Sequence, residues 1–149
     1  MESMHLVYHV KVKINKDPNY VKKVQALTLN KSKPTYGLKG TYGLYGSAEW
    51  LNNLDSGVIP RKNLSGIIQR TYTVDMDNSN LPDTMDIKLN DSGKIVKQGI
   101  FVNNDSDLKL FVIGKRVDIV YYIEDMKAID HSTGDSVKHE FVLEMSVSV

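Results

Sequence analysis

The sequence predicts a mainly β protein: a small antiparallel barrel of the OB type or a sandwich, with about seven strands and one or two short helices. Val (16 residues) and Ile (11) far outnumber Ala (3), and β-branched residues favour strands whereas Ala favours helices. Several segments alternate apolar and polar residues, as half-buried strands do. Clusters of Gly, Pro, Asn and Asp separate these segments, which is typical of turns between short strands.

The first 30 residues predict an N-terminal hairpin over residues 6–30. Its first strand, residues 6–14, has an apolar residue at every second position, namely Leu6, Tyr8, Val10, Val12 and Ile14. The Lys-Asp-Pro-Asn sequence of residues 16–19 predicts the turn. Residues 20–29 predict the return strand, although Val21 and Val24 also fit the spacing of a helix. The main body of the domain, residues 36–149, follows a polar linker.

Residues 36–46, which we call the glycine–tyrosine segment, read YGLKGTYGLYG, with glycine at every third position. Glycine at this density prevents a stable helix and permits positive φ angles. Ser47 then has the side chain of a helix N-cap, and residues 48–54 predict a short helix. The spacing of Trp50, Leu51 and Leu54 places them on one buried face of that helix.

The rest of the chain predicts five more strands, over residues 64–74, 84–89, 94–102, 116–124 and 138–149. Asn90-Asp91-Ser92-Gly93 predicts a tight hairpin between the second and third of them. Gly66 indicates a bulge or a bend in the first. Residues 105–112 predict one short helical turn that ends at Gly114.

Length and composition predict one domain over residues 1–149, in a soluble protein. The absence of cysteine excludes disulfides, thiolate nucleophiles and thiolate metal sites. The start of the chain does not resemble a signal peptide, and no apolar run approaches membrane-spanning length. We therefore expect a cytoplasmic protein without membrane association, and the many Asn and Lys residues fit a bacterial or phage source.

The net charge of +1 hides an asymmetry along the chain. Residues 1–74 carry 11 Lys and Arg against 4 Asp and Glu, whereas residues 75–149 carry 8 against 14. If the halves occupied different faces, the resulting dipole would steer charged partners. We expect instead that the halves intermix in one β fold, so that the charges largely cancel locally.

The acidic segment of residues 75–86 is a weak candidate metal site. Its Asp75, Asp77 and Asp86 fall at positions 1, 3 and 12 of a calcium-loop frame. However, Asn80 stands where the frame needs Gly, Pro82 follows, and an Asp ends the frame in place of Glu. A solvated hairpin loop explains the same residues more simply.

The glycine–tyrosine segment and its basic neighbours form the candidate partner-binding surface. Its members are aromatic or basic, namely Tyr36, Lys39, Tyr42, Tyr45, Trp50 and Arg61. Aromatic side chains carry interface energy, although a lone Trp on a short helix is about twice as often a core residue. Tyrosines interleaved with lysines on an OB-like barrel also fit single-stranded nucleic acid, which is the alternative partner.

The sequence contains no convergent catalytic set and no cofactor motif, and we expect no cofactor. We predict a non-enzymatic binding module for a protein partner, in an adaptor, inhibitor or immunity-type role. Single-stranded nucleic-acid binding is the first alternative, and a metal or enzymatic site at residues 75–86 is the second.

Overall fold

The computed structural model describes residues 3–74 and 81–149. Within them the protein is mainly β, which confirms the predicted class. Six strands form one sheet, namely β1 (Met4–His9), β2 (Arg61–Tyr72), β3 (Thr84–Leu89), β4 (Ile95–Gly99), β5 (Arg116–Ile129) and β6 (Ser136–Ser148).

The order of strands in the sheet is β1-β6-β5-β2-β3-β4. The first and last strands of the chain pair antiparallel, and β3 pairs antiparallel with both β2 and β4. Because β1 and β4 are the two edges of this order, the sheet is not closed among the described residues. Neither the predicted barrel nor the sandwich is therefore confirmed.

The predicted N-terminal hairpin over residues 6–30 is wrong. Strand β1 ends at His9, and two helices follow, α1 (Val10–Lys16) and α2 (Pro18–Leu29). The carboxylate of Asp17 accepts a hydrogen bond from the Tyr20 backbone N–H, and Pro18 occupies the first turn of α2. Residues 16–19 therefore start a helix, because an Asp N-cap followed by Pro is as typical of a helix start as of a turn.

The five strands predicted for the main body are confirmed within a few residues at their ends. The Asn90–Gly93 hairpin turn is present, with the Leu89 N–H donating to the Lys94 carbonyl at 2.8 Å. The irregularity in β2 lies between Ile68 and Arg70 and not at Gly66. Gly66 instead permits close approach, because a Cβ there would lie 2.4 Å from the Lys88 carbonyl oxygen.

The predicted short helices are also present. Helix α3 (Ala48–Asp55) begins at Ser47, whose hydroxyl accepts from the Trp50 backbone N–H at 3.2 Å. Trp50 and Leu54 are buried, and Leu51 is half-buried. The second is a 3-10 helix, Asp105–Leu110, capped by Asn104.

The chain divides into two compact units. The first consists of Met1–Val10, Asn63–Val120 and Val142–Val149, and its core is built on Ile68, Met85, Ile87, Val117, Ile119, Met145 and Val147. The second consists of Lys11–Lys62 and Tyr121–Phe141, and its core is built on Leu38, Tyr45, Trp50, Leu54, Ile59, Tyr122 and Glu124. One domain over residues 1–149 stays a prediction.

The glycine–tyrosine segment packs tightly against two helices of the second unit. Its four glycines, Gly37, Gly40, Gly43 and Gly46, all have positive φ. A Cβ on Gly37 would lie 2.8 Å from the Leu27 side chain of α2, and one on Gly43 would lie 3.2 Å from the Trp50 backbone nitrogen of α3. These glycines are therefore needed for close packing as well as for backbone conformation.

This packing predicts unequal costs for two alanine substitutions. Gly37→Ala and Gly57→Ala both place alanine at positive φ, +89° and +80°, but a Cβ on Gly57 has no atom within 4 Å. We expect Gly57→Ala to lower the free energy of unfolding by about 1 kcal/mol. Gly37→Ala should lower it by roughly a further 1–3 kcal/mol, through overlap with Leu27. Urea unfolding of both variants measures the difference, and equal losses would contradict the packing argument.

Candidate functional site

The glycine–tyrosine segment runs beside the second half of β5. The Lys39 N–H donates to the Asp125 carbonyl at 2.9 Å, and the Lys127 N–H donates to the Gly37 carbonyl at 3.0 Å. Between these bonds, Leu38 forms a bridge with Met126 and is 7% exposed. The segment is thereby fixed to the sheet, and its side chains have defined positions.

Trp50 lies at the centre of an aromatic cluster in the second unit. Its ring contacts Tyr45 at a centroid distance of 5.0 Å and Tyr122 at 5.4 Å, both edge-on. The cluster continues through Phe141, which stacks on Tyr122 at 5.4 Å. Trp50 is fully buried and Tyr45 is 6% exposed, so both rings are in the core. Of the two roles considered for Trp50, this position agrees with the core residue.

Glu124 is a buried carboxyl group within this cluster. Its Oε2 accepts a hydrogen bond from the Trp50 indole N–H at 3.1 Å, while Oε1 has no hydrogen-bond partner among the described residues. Burial raises the pKa of Glu124 to about 7, the negative charge of Asp125 raises it slightly, and the Trp50 N–H opposes the rise. The carboxyl group is therefore partly protonated near neutral pH.

Asp125 faces away from this core and joins a polar network at the surface, which we call the Asp125 network: Lys39, Thr41, Asp125, Ser136 and Lys138. The Asp125 carboxylate accepts from Lys138 Nζ at 2.6 Å and from the Thr41 hydroxyl at 2.9 Å. The hydrogen bond from Lys138 is the main cause of the lowered pKa of Asp125. Lys39 Nζ donates to the Ser136 hydroxyl at 3.2 Å. The network connects the glycine–tyrosine segment to β5 and β6.

The remaining members of the predicted surface have different environments. Tyr36 is 62% exposed, with Lys33 Nζ 5.7 Å from its ring centroid. Tyr42 is half-buried, and its carbonyl accepts from Asn53 Nδ2 at 3.0 Å. Arg61 donates from Nη2 to the Leu54 carbonyl at 2.6 Å, so its guanidinium closes the last turn of α3.

The structure therefore does not bring the six predicted residues onto one surface. Three of the six, Tyr36, Lys39 and Arg61, are exposed; Lys39 belongs to the Asp125 network, and Arg61 is engaged at the end of α3. With Tyr45 buried, the row of tyrosines expected for base stacking is not assembled. Partner binding by these residues stays a prediction.

The candidate metal site falls mostly outside the described residues. Asp75 and Asp77 lie there, whereas Asp86 lies in β3. The Asp86 carboxylate accepts from the Tyr72 hydroxyl at 2.8 Å and lies 3.4 Å from Arg70 Nε. The residues that the structure describes contain no group of three acidic or histidine side chains suited to a metal ion.

Within residues 3–74 and 81–149 no helix is long and apolar enough to cross a membrane.

A family model described as immunity protein RhsI2 matches residues 4–148. The chain belongs to this family of immunity proteins. No curated protein matches the chain. Family membership supports the predicted immunity-type protein-binding role, and the match spans both compact units.

The structural roles of Glu124 and Asp125 in the second unit were not predicted from the sequence. The adjacent carboxylates lie on opposite faces of β5, because side chains alternate along a strand. One signal was available in the sequence: a single Trp predicted to be buried needs an acceptor for its indole N–H. A carboxyl group on a strand next to the predicted core is such an acceptor.

The buried carboxyl group predicts a pH-dependent stability. Because the folded pKa of Glu124 is raised from 4.5 to about 7, the folded state binds its proton more tightly than the unfolded state. The Glu124 carboxyl group should therefore lower the free energy of unfolding by roughly 2–3 kcal/mol as the pH rises from 4.5 to 7, and its effect should level off above pH 7. Glu124→Gln, which is neutral at every pH, should remove this loss.

Urea unfolding at pH 5, 6, 7 and 8 measures the effect in the wild type and in Glu124→Gln. Glu140→Gln is the matched control, since the Glu140 side chain is exposed and pairs with Lys62 at 3.0 Å. We expect the control to keep the slope of the wild type. Parallel profiles for wild type and Glu124→Gln would contradict the assignment.

Proposed function

We propose that this protein binds a cognate toxin and neutralises it by occupying part of its surface, without catalysing a reaction. The observation that carries the proposal is the immunity-family match over residues 4–148. A protein partner is also what the sequence predicted, because its residues contain no convergent catalytic set.

The described surface supports binding through a preformed site. The Asp125 network and the main-chain bonds of residues 37–39 fix the positions of exposed side chains around the glycine–tyrosine segment. A surface that is already ordered loses less conformational entropy when it binds, which favours tight association. Inhibition by an immunity protein requires tight association, because every toxin molecule that dissociates is active again.

Growth rescue tests the proposal. Toxin domains from the source genome are expressed one at a time in a bacterial host, with this chain or with an empty vector. We expect the chain to restore growth with one such domain and not with the others. Failure to neutralise any toxin domain of that genome would refute the proposed function.

The mode of neutralisation has its own test. With the toxin domain identified by growth rescue, we expect a stable complex with a fixed subunit ratio by size exclusion with light scattering. Intact-mass spectrometry of the toxin after exposure should give an unchanged mass. A covalently altered toxin, or full neutralisation at a small fraction of the toxin concentration, would instead indicate an enzyme.

We also propose that the encounter takes place in the cytoplasm, to which the absence of cysteine is suited. Cell fractionation should recover the protein with a cytoplasmic marker enzyme. Recovery with periplasmic or membrane markers would contradict this location.

A further inference from the structure

The region from α1 to the glycine–tyrosine segment is strongly basic. Residues 11–39 contain eight Lys and one acidic residue, Asp17. Asp17 is engaged as the N-cap of α2. Over the whole second unit, 12 Lys and Arg stand against 8 Asp and Glu, so the charge asymmetry of the sequence persists in this unit.

Helix α2 presents its lysines outward. Val21 and Leu27 face the glycine–tyrosine segment, as the close approaches at Gly46 and Gly37 show. Lys22 and Lys23 are exposed. Leu29, at the end of the same helix, is 65% exposed.

The chain after α2 is held close to the end of the helix. Lys127 Nζ donates to the carbonyls of Leu27, Asn30 and Lys33, at 2.6, 3.2 and 3.1 Å. These bonds hold residues 30–33 beside the last turn of α2. Because an α-helix rises 1.5 Å per residue, Lys22 and Leu29 are only about 10 Å apart along the helix axis.

Most charges on this surface have no internal counterion. Lys22, Lys23 and Lys31 form no salt bridge within the described residues, and Lys33 contacts the face of Tyr36. Two large apolar side chains of the same stretch of chain, Leu29 and Tyr36 (62% exposed), are exposed as well. Exposed apolar anchors surrounded by unneutralised charge of one sign are typical of a protein-binding site that selects a partner of the opposite sign.

We infer that Lys22, Lys23, Leu29, Lys31, Lys33 and Tyr36, the basic helical surface, dock an acidic surface of the toxin. This inference rests on the proposed function and names the part of the chain that carries it out. The lysines attract and orient the acidic partner, while Leu29 and Tyr36 become buried in the complex. Such a surface also attracts nucleic acid, which is a polyanion, and the experiment distinguishes nucleic-acid binding from toxin binding.

Charge reversal with a matched control tests the inference. Lys22→Glu, Lys23→Glu and Lys31→Glu are combined in one variant. The control combines Lys88→Glu, Lys94→Glu and Lys97→Glu, which cause the same change in net charge. These three exposed lysines lie in β3, in the turn that follows it and in β4, respectively. Affinity for the toxin domain identified by growth rescue is measured by calorimetry at 0.05, 0.15 and 0.5 M salt.

We expect the basic-surface variant to bind at least about tenfold more weakly at 0.15 M salt, with a reduced salt dependence. The control should stay within about threefold of the wild type, since long-range charge effects are small at this ionic strength. Tyr36→Ala, which keeps all lysines, should also weaken binding several-fold. Urea unfolding checks that each variant remains folded.

The outcomes separate the two proposals. If the wild type neutralises the toxin and the basic-surface variant binds as tightly as the control, the inference is wrong and the proposed function stands. If the wild type neutralises no toxin, both fail. The third outcome concerns a 20-nucleotide DNA, single- or double-stranded, that binds the wild type at 0.15 M salt. If the basic-surface variant loses this DNA binding but keeps the wild-type affinity for the toxin, the surface is a nucleic-acid site and the inference is overturned.

Discussion

The hydrogen bond from the buried indole of Trp50 to Glu124 is the constraint on which the second unit depends. Burial of an indole N–H requires an acceptor, and the acceptor here is a carboxyl group that is itself removed from water. The Ser47 cap fixes the start of α3, and the aromatic contacts of Tyr45 and Tyr122 fix the ring. Because one carboxylate oxygen has no partner among the described residues, the neutral acid suits this core better than the carboxylate.

The strands after residue 60 could be predicted from the sequence because their alternation of apolar and polar residues fits only a strand. The pattern in the first 30 residues fits either a strand or a helix. Val10 and Ile14 are buried four residues apart, and Val12 between them is 39% exposed. This is the spacing of a helix, although the same residues also satisfy the alternation of a strand. Local pattern cannot decide between the two when every second residue is apolar. The Asp17–Pro18 pair, which starts α2, is equally typical of a turn and did not resolve this ambiguity.

The site was less predictable than the fold, because burial depends on packing between distant parts of the chain. Tyr36, Tyr42 and Tyr45 have the same residue type and similar neighbours, yet they are exposed, half-buried and buried. Positive φ at the intervening glycines turns the chain between them. Those angles were foreseeable from the glycines, but the contacts of Tyr45 with Tyr20 of α2 and Trp50 of α3 were not. The role of Glu124 depends in the same way on Trp50, which is 74 residues away.

The distribution of charge separates the supporting residues of the second unit from those available to a partner. The acidic residues of β5 are used internally: Glu124 accepts from Trp50, and Asp125 accepts from Lys138 and Thr41. Lysines on α2 form no such internal contacts, and repulsion between like charges slightly raises the free energy of the folded protein. An acidic partner removes that repulsion on binding. In the docking inferred for this surface, the same lysines that slightly destabilise the free protein would contribute to the stability of the complex.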